Sequence, residues 1–203
     1  MGERIAILDC DFGDGELERE VLEPLGYDVV VADARSEEQV IEAAAGAVGL
    51  FSQYAPVGAA LFERRPEVRA VVRYGIGLDV IDLEAARRRG VAVSGVSDYC
   101  TDEVADHAMA LILAATRAVV AADGAVKQGR WPAPAELPPM IRLRELRLGL
   151  VGFGRIARAV AARAQAFGCE VIAYDPYVQP ASMTDVGVVV AAFEEVLGCD
   201  IVS

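Results

Sequence analysis

The sequence predicts an α/β protein, with one small doubly wound domain followed by part of a second parallel sheet of the Rossmann type. Short apolar runs alternate with longer helical stretches, and a glycine-rich turn near residue 152 joins a strand to a helix. Hydrophobic residues make up 54% of the chain and aromatic residues only 6%, so the apolar content is mostly aliphatic. A length of 203 residues accommodates one full domain and part of another.

The first hundred residues show the rhythm of repeated βαβ units. The predicted strands are residues 5–8, 27–31, 48–51, 70–73 and 91–93, and the predicted helices are residues 16–25, 37–45, 57–64 and 82–89. Gly26 and Gly90 stand where helix C-caps are expected, because glycine adopts a left-handed backbone at little cost. Five strands are enough for a small doubly wound domain.

A long helical pattern follows over residues 101–127, with Thr101 or Asp102 as its predicted N-cap. His107 shares a helical stripe with Val104 and Leu111, and a histidine in such a stripe is usually packed. Residues 128–139 hold four prolines and predict an irregular connector. We therefore divide the chain into a first domain (residues 1–100), an interdomain helix with its connector (101–139) and a second domain (140–203).

Charge and cysteine usage narrow the class of protein. With 19 Lys and Arg against 31 Asp and Glu, the net charge of -12 repels nucleic acid and anionic lipid, and we predict neither as a partner. The four cysteines are scattered without a CxxC pair, which favours reduced thiols, and no metal site is predicted. No signal peptide is recognised at the start, and His107 and Arg117 interrupt the apolar part of the long helix. We expect a soluble cytoplasmic protein.

A dinucleotide-binding fingerprint begins the second domain. Residues 148–151 form a predicted buried strand, and the segment Gly152-Phe153-Gly154-Arg155-Ile156-Ala157 leads from it towards a helix predicted at residues 159–167. Gly152 permits the tight turn, Gly154 lets the backbone approach a pyrophosphate, and Ala157 is small enough for close packing of the helix on the strand. The N-terminus of that helix would face the diphosphate.

The next predicted strand, residues 170–174, ends in Asp175, twenty-one residues after Gly154. An acidic residue at this place accepts hydrogen bonds from the adenosine ribose and repels a 2′-phosphate. Residues 164–203 contain no Lys or Arg that could bind such a phosphate. The sequence therefore predicts NAD rather than NADP; the alternative is that the glycines only serve a tight turn in an unrelated sheet.

The chain resembles the D-isomer-specific 2-hydroxyacid dehydrogenases over essentially its whole length. The resemblance rests on residues 71–79, 98–107, 129–131, 148–156 and 173–176. Within the family, residues 98–101 look most similar to the branch that contains the C-terminal binding protein co-repressors, and that branch holds enzymes and regulators alike. The resemblance implies that residues 1–100 are a flavodoxin-like substrate domain and that the rest carries an incomplete Rossmann domain for NAD.

The same resemblance implies a substrate cleft in the first domain. The loop Tyr74-Gly75-Ile76-Gly77 would face the cleft, where its N–H groups can hold a substrate carboxylate. Gln53 and Tyr54 would line the cleft beside Arg73; the alternatives are a loop that only turns the chain and an Arg73 that forms a surface ion pair. The implied cofactor-binding residues are Ile76, Val104, Gly152, Phe153, Gly154, Arg155, Ile156, Asp175 and Pro176.

Hydride transfer to a 2-keto acid needs a proton donor and a cation. In the family these are a His backed by a carboxylate, and an Arg, and the resemblance places all three beyond residue 203. We therefore identify no catalytic residue, reject His107 as a base, and expect a truncated chain whose last strands need a covering partner. Val80 and Gly95 stand where the family commonly has Asn, and Ser97 where it has Pro, which puts ordinary substrate handling in doubt.

The leading hypothesis is an NAD-dependent oxidoreductase that acts on a small D-2-hydroxy acid or 2-keto acid, with the identity of the acid left open. The alternative is a catalytically silent NAD(H)-binding regulator or scaffold. The helical stretch 104–120 carries Val104, Leu111, Ile112 and Val119, more apolar surface than one side of a thin domain needs. A homodimer through this helix is expected, and the resemblance implies the same.

Overall fold

The computed structural model describes residues 2–203 and divides the chain into two compact units, with the boundary between Asp98 and Tyr99. The first unit is a five-stranded parallel sheet in the order β2-β1-β3-β4-β5. Its strands are β1 Arg4–Ile7, β2 Asp28–Val31, β3 Ala47–Ser52, β4 Ala70–Arg73 and β5 Ala92–Gly95. This is the strand order of flavodoxin-like folds, so the predicted fold class of this unit is confirmed.

Four helices cover this sheet: α1 Glu16–Leu22, α2 Glu37–Ala43, α3 Ala59–Arg64 and α4 Leu83–Arg89. A 3-10 turn, Glu23–Leu25, replaces the last turn of the helix predicted over residues 16–25. Gly26 and Gly90 are C-caps with φ of 91° and 68°, as the sequence predicts. The core of the unit is built from Leu8, Leu50, Leu61 and Phe62 on facing elements, all of them buried.

The second unit contains a four-stranded parallel sheet in the order β8-β7-β6-β9. Its strands are β6 Arg147–Val151, β7 Glu170–Tyr174, β8 Val189–Val190 and β9 Ile201–Val202, and its helices are α5 Thr101–Thr116, α6 Val119–Lys127, α7 Arg155–Ala166, α8 Ala181–Thr184 and α9 Phe193–Leu197. Val189, Val190 and Val202 are exposed, whereas Ile201 packs against the core. The sheet is the predicted partial Rossmann arrangement.

The prediction of one continuous helix over residues 101–127 is wrong. The chain bends by 67° between α5 and α6, because Ala118 adopts a left-handed backbone with φ of 53°. The predicted N-cap is also wrong, since Cys100 occupies that position without a side-chain cap. Within residues 2–203, α5 and α6 would have the length and composition of a membrane span only if joined across this bend, and no single helix has them.

Helix α5 packs on α7 through a face other than the one the sequence analysis singled out. The buried residues of α5 are Ala105, Met109 and Ile112, and Arg163 of α7 donates to Asp106 at 2.6 Å and to Asp102 at 2.9 Å. His107 is exposed on another face, so the expectation that it is packed is wrong. Ile112 is buried in the core rather than available on the surface.

Candidate functional site

The glycine-rich turn between β6 and α7 has the backbone geometry that a dinucleotide fingerprint requires. Gly152 has a φ of 91°, and its N–H donates to the carbonyl of Tyr174 at 2.7 Å, which holds the turn against β7. A Cβ added to Gly154 would meet no atom within 4 Å, so open space lies in front of this residue. Helix α7 begins immediately afterwards at Arg155, and its first turn presents backbone N–H groups to that space.

Asp175 links the end of β7 to this turn. Its Oδ2 accepts from the N–H of Phe153 at 2.7 Å, and its Oδ1 accepts from the N–H of Tyr177 at 2.8 Å. The bond from Phe153, followed by that from Tyr177, holds the pKa of the Asp175 carboxyl below its usual range, since both favour the charged form. A carboxylate has about four acceptor sites, and the N–H groups of Phe153, Tyr177 and Val178 use at most three of them, so Asp175 can also accept from a ligand hydroxyl.

The other predicted cofactor residues contribute differently. The Phe153 side chain is 0% exposed and belongs to the core, so only its backbone takes part in the turn. Ile156 is half-buried and packs against the same core, whereas Arg155 and Pro176 are exposed. Val104 lies on α5 and is exposed.

Arg158 was missed by the sequence analysis. Its Nε donates to the Phe153 carbonyl at 3.2 Å, its guanidinium lies 5.0 Å from the centre of the Phe153 ring, and its charge also lowers the pKa of Asp175. Its position four residues after Gly154, one helical turn into α7, is the signal that could have found it.

In the first unit, the loops at the carboxyl end of the sheet are organised by Asp9, which the sequence analysis also missed. Its carboxylate is 0% exposed and accepts from the N–H groups of Gln53, Tyr54 and Ala55 at 2.8, 2.7 and 3.1 Å. Arg35 lies 3.8 Å from Asp9 Oδ2. An Asp directly after a buried strand was the available signal, because ligands and polar networks gather at that edge.

Gln53 joins three of these loops. Beyond its bond to Asp9, its side-chain Oε1 accepts from the N–H of Asp11 at 2.7 Å, and its carbonyl accepts from Arg73 Nε at 3.1 Å. Arg73 also donates through Nη1 to the carbonyl of Gly77 at 2.9 Å. Arg73 is therefore held by two backbone carbonyls, and no carboxylate lies within ion-pair distance of it among residues 2–203.

The Tyr74 side chain packs inside the first unit. Its hydroxyl donates to Glu18 Oε1 at 2.7 Å, and its ring stacks on Phe51 with centroids 5.3 Å apart. Burial, reinforced by the bond to Glu18, raises the pKa of Tyr74 far above its usual range, so the phenol stays neutral. Tyr54, in contrast, is 55% exposed.

The loop Tyr74-Gly75-Ile76-Gly77 is tied down through its carbonyl groups. The carbonyl of Gly75 accepts from the N–H of Val96 at 3.1 Å, and that of Gly77 accepts from Arg73. Within residues 2–203 the N–H groups of Ile76 and Gly77 donate to no other group. Two successive free N–H groups are an arrangement that suits an anion such as a carboxylate.

Gly95 allows this loop to lie against β5. A Cβ at Gly95 would stand 2.6 Å from the carbonyl oxygen of Gly75 and 3.2 Å from Cδ2 of Leu78. A larger residue would therefore displace the loop. The close approach of the loop to β5 therefore gives glycine at this position a steric reason.

Comparison with known proteins shows which proteins this chain is similar to. Residues 109–203 match the family model described as "D-isomer specific 2-hydroxyacid dehydrogenase, NAD binding domain". D-3-phosphoglycerate dehydrogenase from Mycobacterium leprae is 39% identical over 141 residues, and glyoxylate reductase from Korarchaeum cryptofilum is 38% identical over 145 residues. Each alignment covers 70% of this chain, but only 26% and 43% of those proteins.

Solved structures share the fold over nearly the whole chain. D-lactate dehydrogenase from Aquifex aeolicus, complexed with NAD and lactic acid, superposes with a TM-score of 0.86 at 24% identity, over 98% of this chain and 59% of that one. A protein from Thermus thermophilus superposes with a TM-score of 0.84 at 32% identity, over 98% of this chain and 63% of that one. The chain thus spans about three fifths of these structures.

Proposed function

Because the chain belongs to the D-isomer specific 2-hydroxyacid dehydrogenase family, we propose that it is an NAD-dependent oxidoreductase acting on a small D-2-hydroxy acid or the matching 2-keto acid. The observation that carries the proposal is Asp175, an ionised acceptor fixed by the glycine turn at the end of β7. The free thiols of all four cysteines suit a cytoplasmic location.

The chain's own residues would bind NAD in two places. The backbone from Gly152 to Ile156 would hold the pyrophosphate at the N-terminus of α7, and Asp175 would accept from the adenosine ribose. The nicotinamide supplies hydride-transfer chemistry when it is bound. The open space in front of Gly154 is what close approach of a diphosphate to this backbone needs.

The acid would be held by the first unit. The N–H groups of Ile76 and Gly77 would donate to its carboxylate, and Arg73 and Asp9 would act as positioning residues by fixing the backbone that presents them. Proton transfer to the substrate oxygen needs a further acid or base, and we assign that role to no residue among 2–203.

Titration of the full-length protein with NADH, followed by a panel of 2-keto acids, tests the proposal. We expect saturable NADH binding and loss of NADH absorbance with at least one acid. Binding without turnover of any acid would instead support the silent NAD(H)-binding regulator, and absence of NADH binding would contradict both.

Gly95→Ala should raise the KM for the acid about ten- to hundredfold with little change in NADH affinity, because small displacements of positioning groups cost this much. The added Cβ would lie 2.6 Å from the Gly75 carbonyl oxygen and push the loop away. Gly124→Ala is the matched control, since a Cβ there meets nothing within 4 Å. An unchanged KM in Gly95→Ala would show that the loop does not bind the acid.

We also propose that α5 and α6 form a homodimer interface. Val104, Leu111, Val119 and Val120 are all exposed on these two helices, and Leu111 reaches 59%. An exposed apolar face of this kind marks an interaction surface more often than a solvated one.

Leu111→Asp should raise the dimer dissociation constant at least about tenfold, because it places a charge in an apolar contact. Sedimentation velocity over a concentration series measures this. Leu17→Asp, on the exposed face of α1, is the control and should leave the dimer intact. A wild-type protein that is monomeric at high concentration would exclude this interface.

A further inference from the structure

The cations at the carboxyl end of the first sheet are already engaged. Arg73 donates to the carbonyls of Gln53 and Gly77 at 3.1 and 2.9 Å. Arg35 lies 2.7 Å from Asp33, 3.6 Å from Asp11 and 3.8 Å from Asp9, so three carboxylates surround one guanidinium. Little positive charge is left at this edge for a second anionic group on a ligand.

The other cations of this unit lie elsewhere. Lys127, in the second unit, is the single lysine of the chain. Arg19 lies on α1 beside Glu23, at 3.7 Å. The remaining arginines belong to the amino ends of strands or the carboxyl ends of helices, which lie at the opposite edge of a parallel α/β sheet: Arg4, Arg64, Arg65, Arg69, Arg87, Arg88 and Arg89.

The exposed carboxylate of Asp79 lies beside the loop that would hold the acid. A Cβ built on Gly77 would lie 2.7 Å from Oδ1 of Asp79 and 3.6 Å from Nη1 of Arg73. Asp79 therefore adds negative charge beside the N–H groups that would hold a substrate carboxylate. A phosphoryl group adds about 1.5 to 2 negative charges near neutral pH, and apart from Arg73 and the carboxylate-paired Arg35 this unit has no cation at this edge to meet them.

Besides these charged groups, the loops expose three large side chains with apolar or aromatic surface. Phe12 after β1, Tyr54 after β3 and Ile76 after β4 are 69%, 55% and 45% exposed. Such groups favour contact with an uncharged substituent, because burying a charge against them without a partner is costly.

We infer that the acid bound by this site carries a small uncharged side chain and not a phosphorylated one. The inference rests on the proposed function and names its substrate class. The relatives include enzymes named for both kinds of acid, D-3-phosphoglycerate and glyoxylate. The charges around Arg73 and Gly77 favour an unphosphorylated acid as the substrate of this chain.

The test compares kcat/KM of the full-length protein, with NADH, for pyruvate and 2-oxobutyrate against 3-phosphohydroxypyruvate. We expect the phosphorylated acid to be at least about tenfold poorer, since a site without a partner for a charged group rejects it strongly. Equal or better use of the phosphorylated acid would overturn the inference and leave the proposed function standing. Turnover of none of these acids, nor of any other 2-keto acid in the panel, would contradict the proposed function.

A binding measurement decides the inference even without turnover. In calorimetric titrations of the NAD complex, oxamate should bind at least about tenfold more tightly than 3-phosphoglycerate. Equal affinity, or binding of neither, would overturn the inference.

Asp79→Asn should reduce the ratio of kcat/KM for the unphosphorylated acids to that for the phosphorylated acid several-fold, because it removes the carboxylate beside Gly77. Glu63→Gln makes the same change of charge at an exposed position of α3 and should leave this ratio of kcat/KM values unchanged. An unchanged ratio in Asp79→Asn would contradict the proposal that electrostatic repulsion sets the preference for unphosphorylated acids.

Discussion

Replacing Asp175 with alanine should weaken NADH binding about tenfold or more and reduce the preference for NADH over NADPH, because the change removes both an acceptor and a repulsive charge. The structure shows a second reason for weaker NADH binding, besides the lost acceptor and charge that the sequence indicates. The same carboxylate fixes the N–H of Phe153 at 2.7 Å, so its loss also loosens the glycine turn. Fluorescence titration of the variant with each cofactor measures both effects.

Asp185→Ala is the matched control, since Asp185 is an exposed carboxylate of the same unit. It should leave both affinities unchanged. An Asp175→Ala variant with the wild-type preference for NADH would contradict the role given to this residue.

The pH dependence of this contact has a definite sign. Because the folded pKa of Asp175 lies below the ordinary carboxyl value of 3.8, its bonds stabilise the fold above that value and are lost as the pH falls through the lower, folded pKa. Between neutral pH and about pH 5, NADH affinity should therefore not fall through titration of this group.

Asp9→Ala should destabilise the first unit by about 3 kcal/mol or more, the cost of leaving several buried donors unpaired. The fully buried carboxylate accepts hydrogen bonds from the N–H groups of Gln53, Tyr54 and Ala55, and an alanine side chain can accept none of them. Urea unfolding followed by circular dichroism measures the change in the free energy of unfolding. Acid binding should weaken as well, since Gln53 holds the loops after β1 and β4.

Asp28→Ala is the control for this measurement. Asp28 is a half-exposed carboxylate in β2 that pairs with Arg4 at 3.2 Å, and a surface pair of this kind contributes about 1 kcal/mol or less. A loss of stability in Asp9→Ala no larger than that in Asp28→Ala would mean that water replaces the carboxylate, and that Asp9 does not organise the site.

The sequence alone determined the features that depend on neighbours along the chain. The periodicity of apolar residues located most strands and helices within a few residues. The ease with which glycine adopts a left-handed backbone located the caps at Gly26 and Gly90. The spacing from Gly152 to Asp175 identified the cofactor turn, because that motif lies within one βαβ unit whose geometry is set locally.

The tertiary structure decided what depends on residues distant in sequence. Asp9 meets Gln53 only because β1 pairs with β3, and Gly95 meets Gly75 only because β5 pairs with β4. The face of α5 that is buried is set by Arg163 and the core of α7, and so His107 and Ile112 could not be placed by periodicity alone. Hydrogen bonds and steric contacts act over about 3–4 Å, and only strand register and helix packing bring such residues within that range.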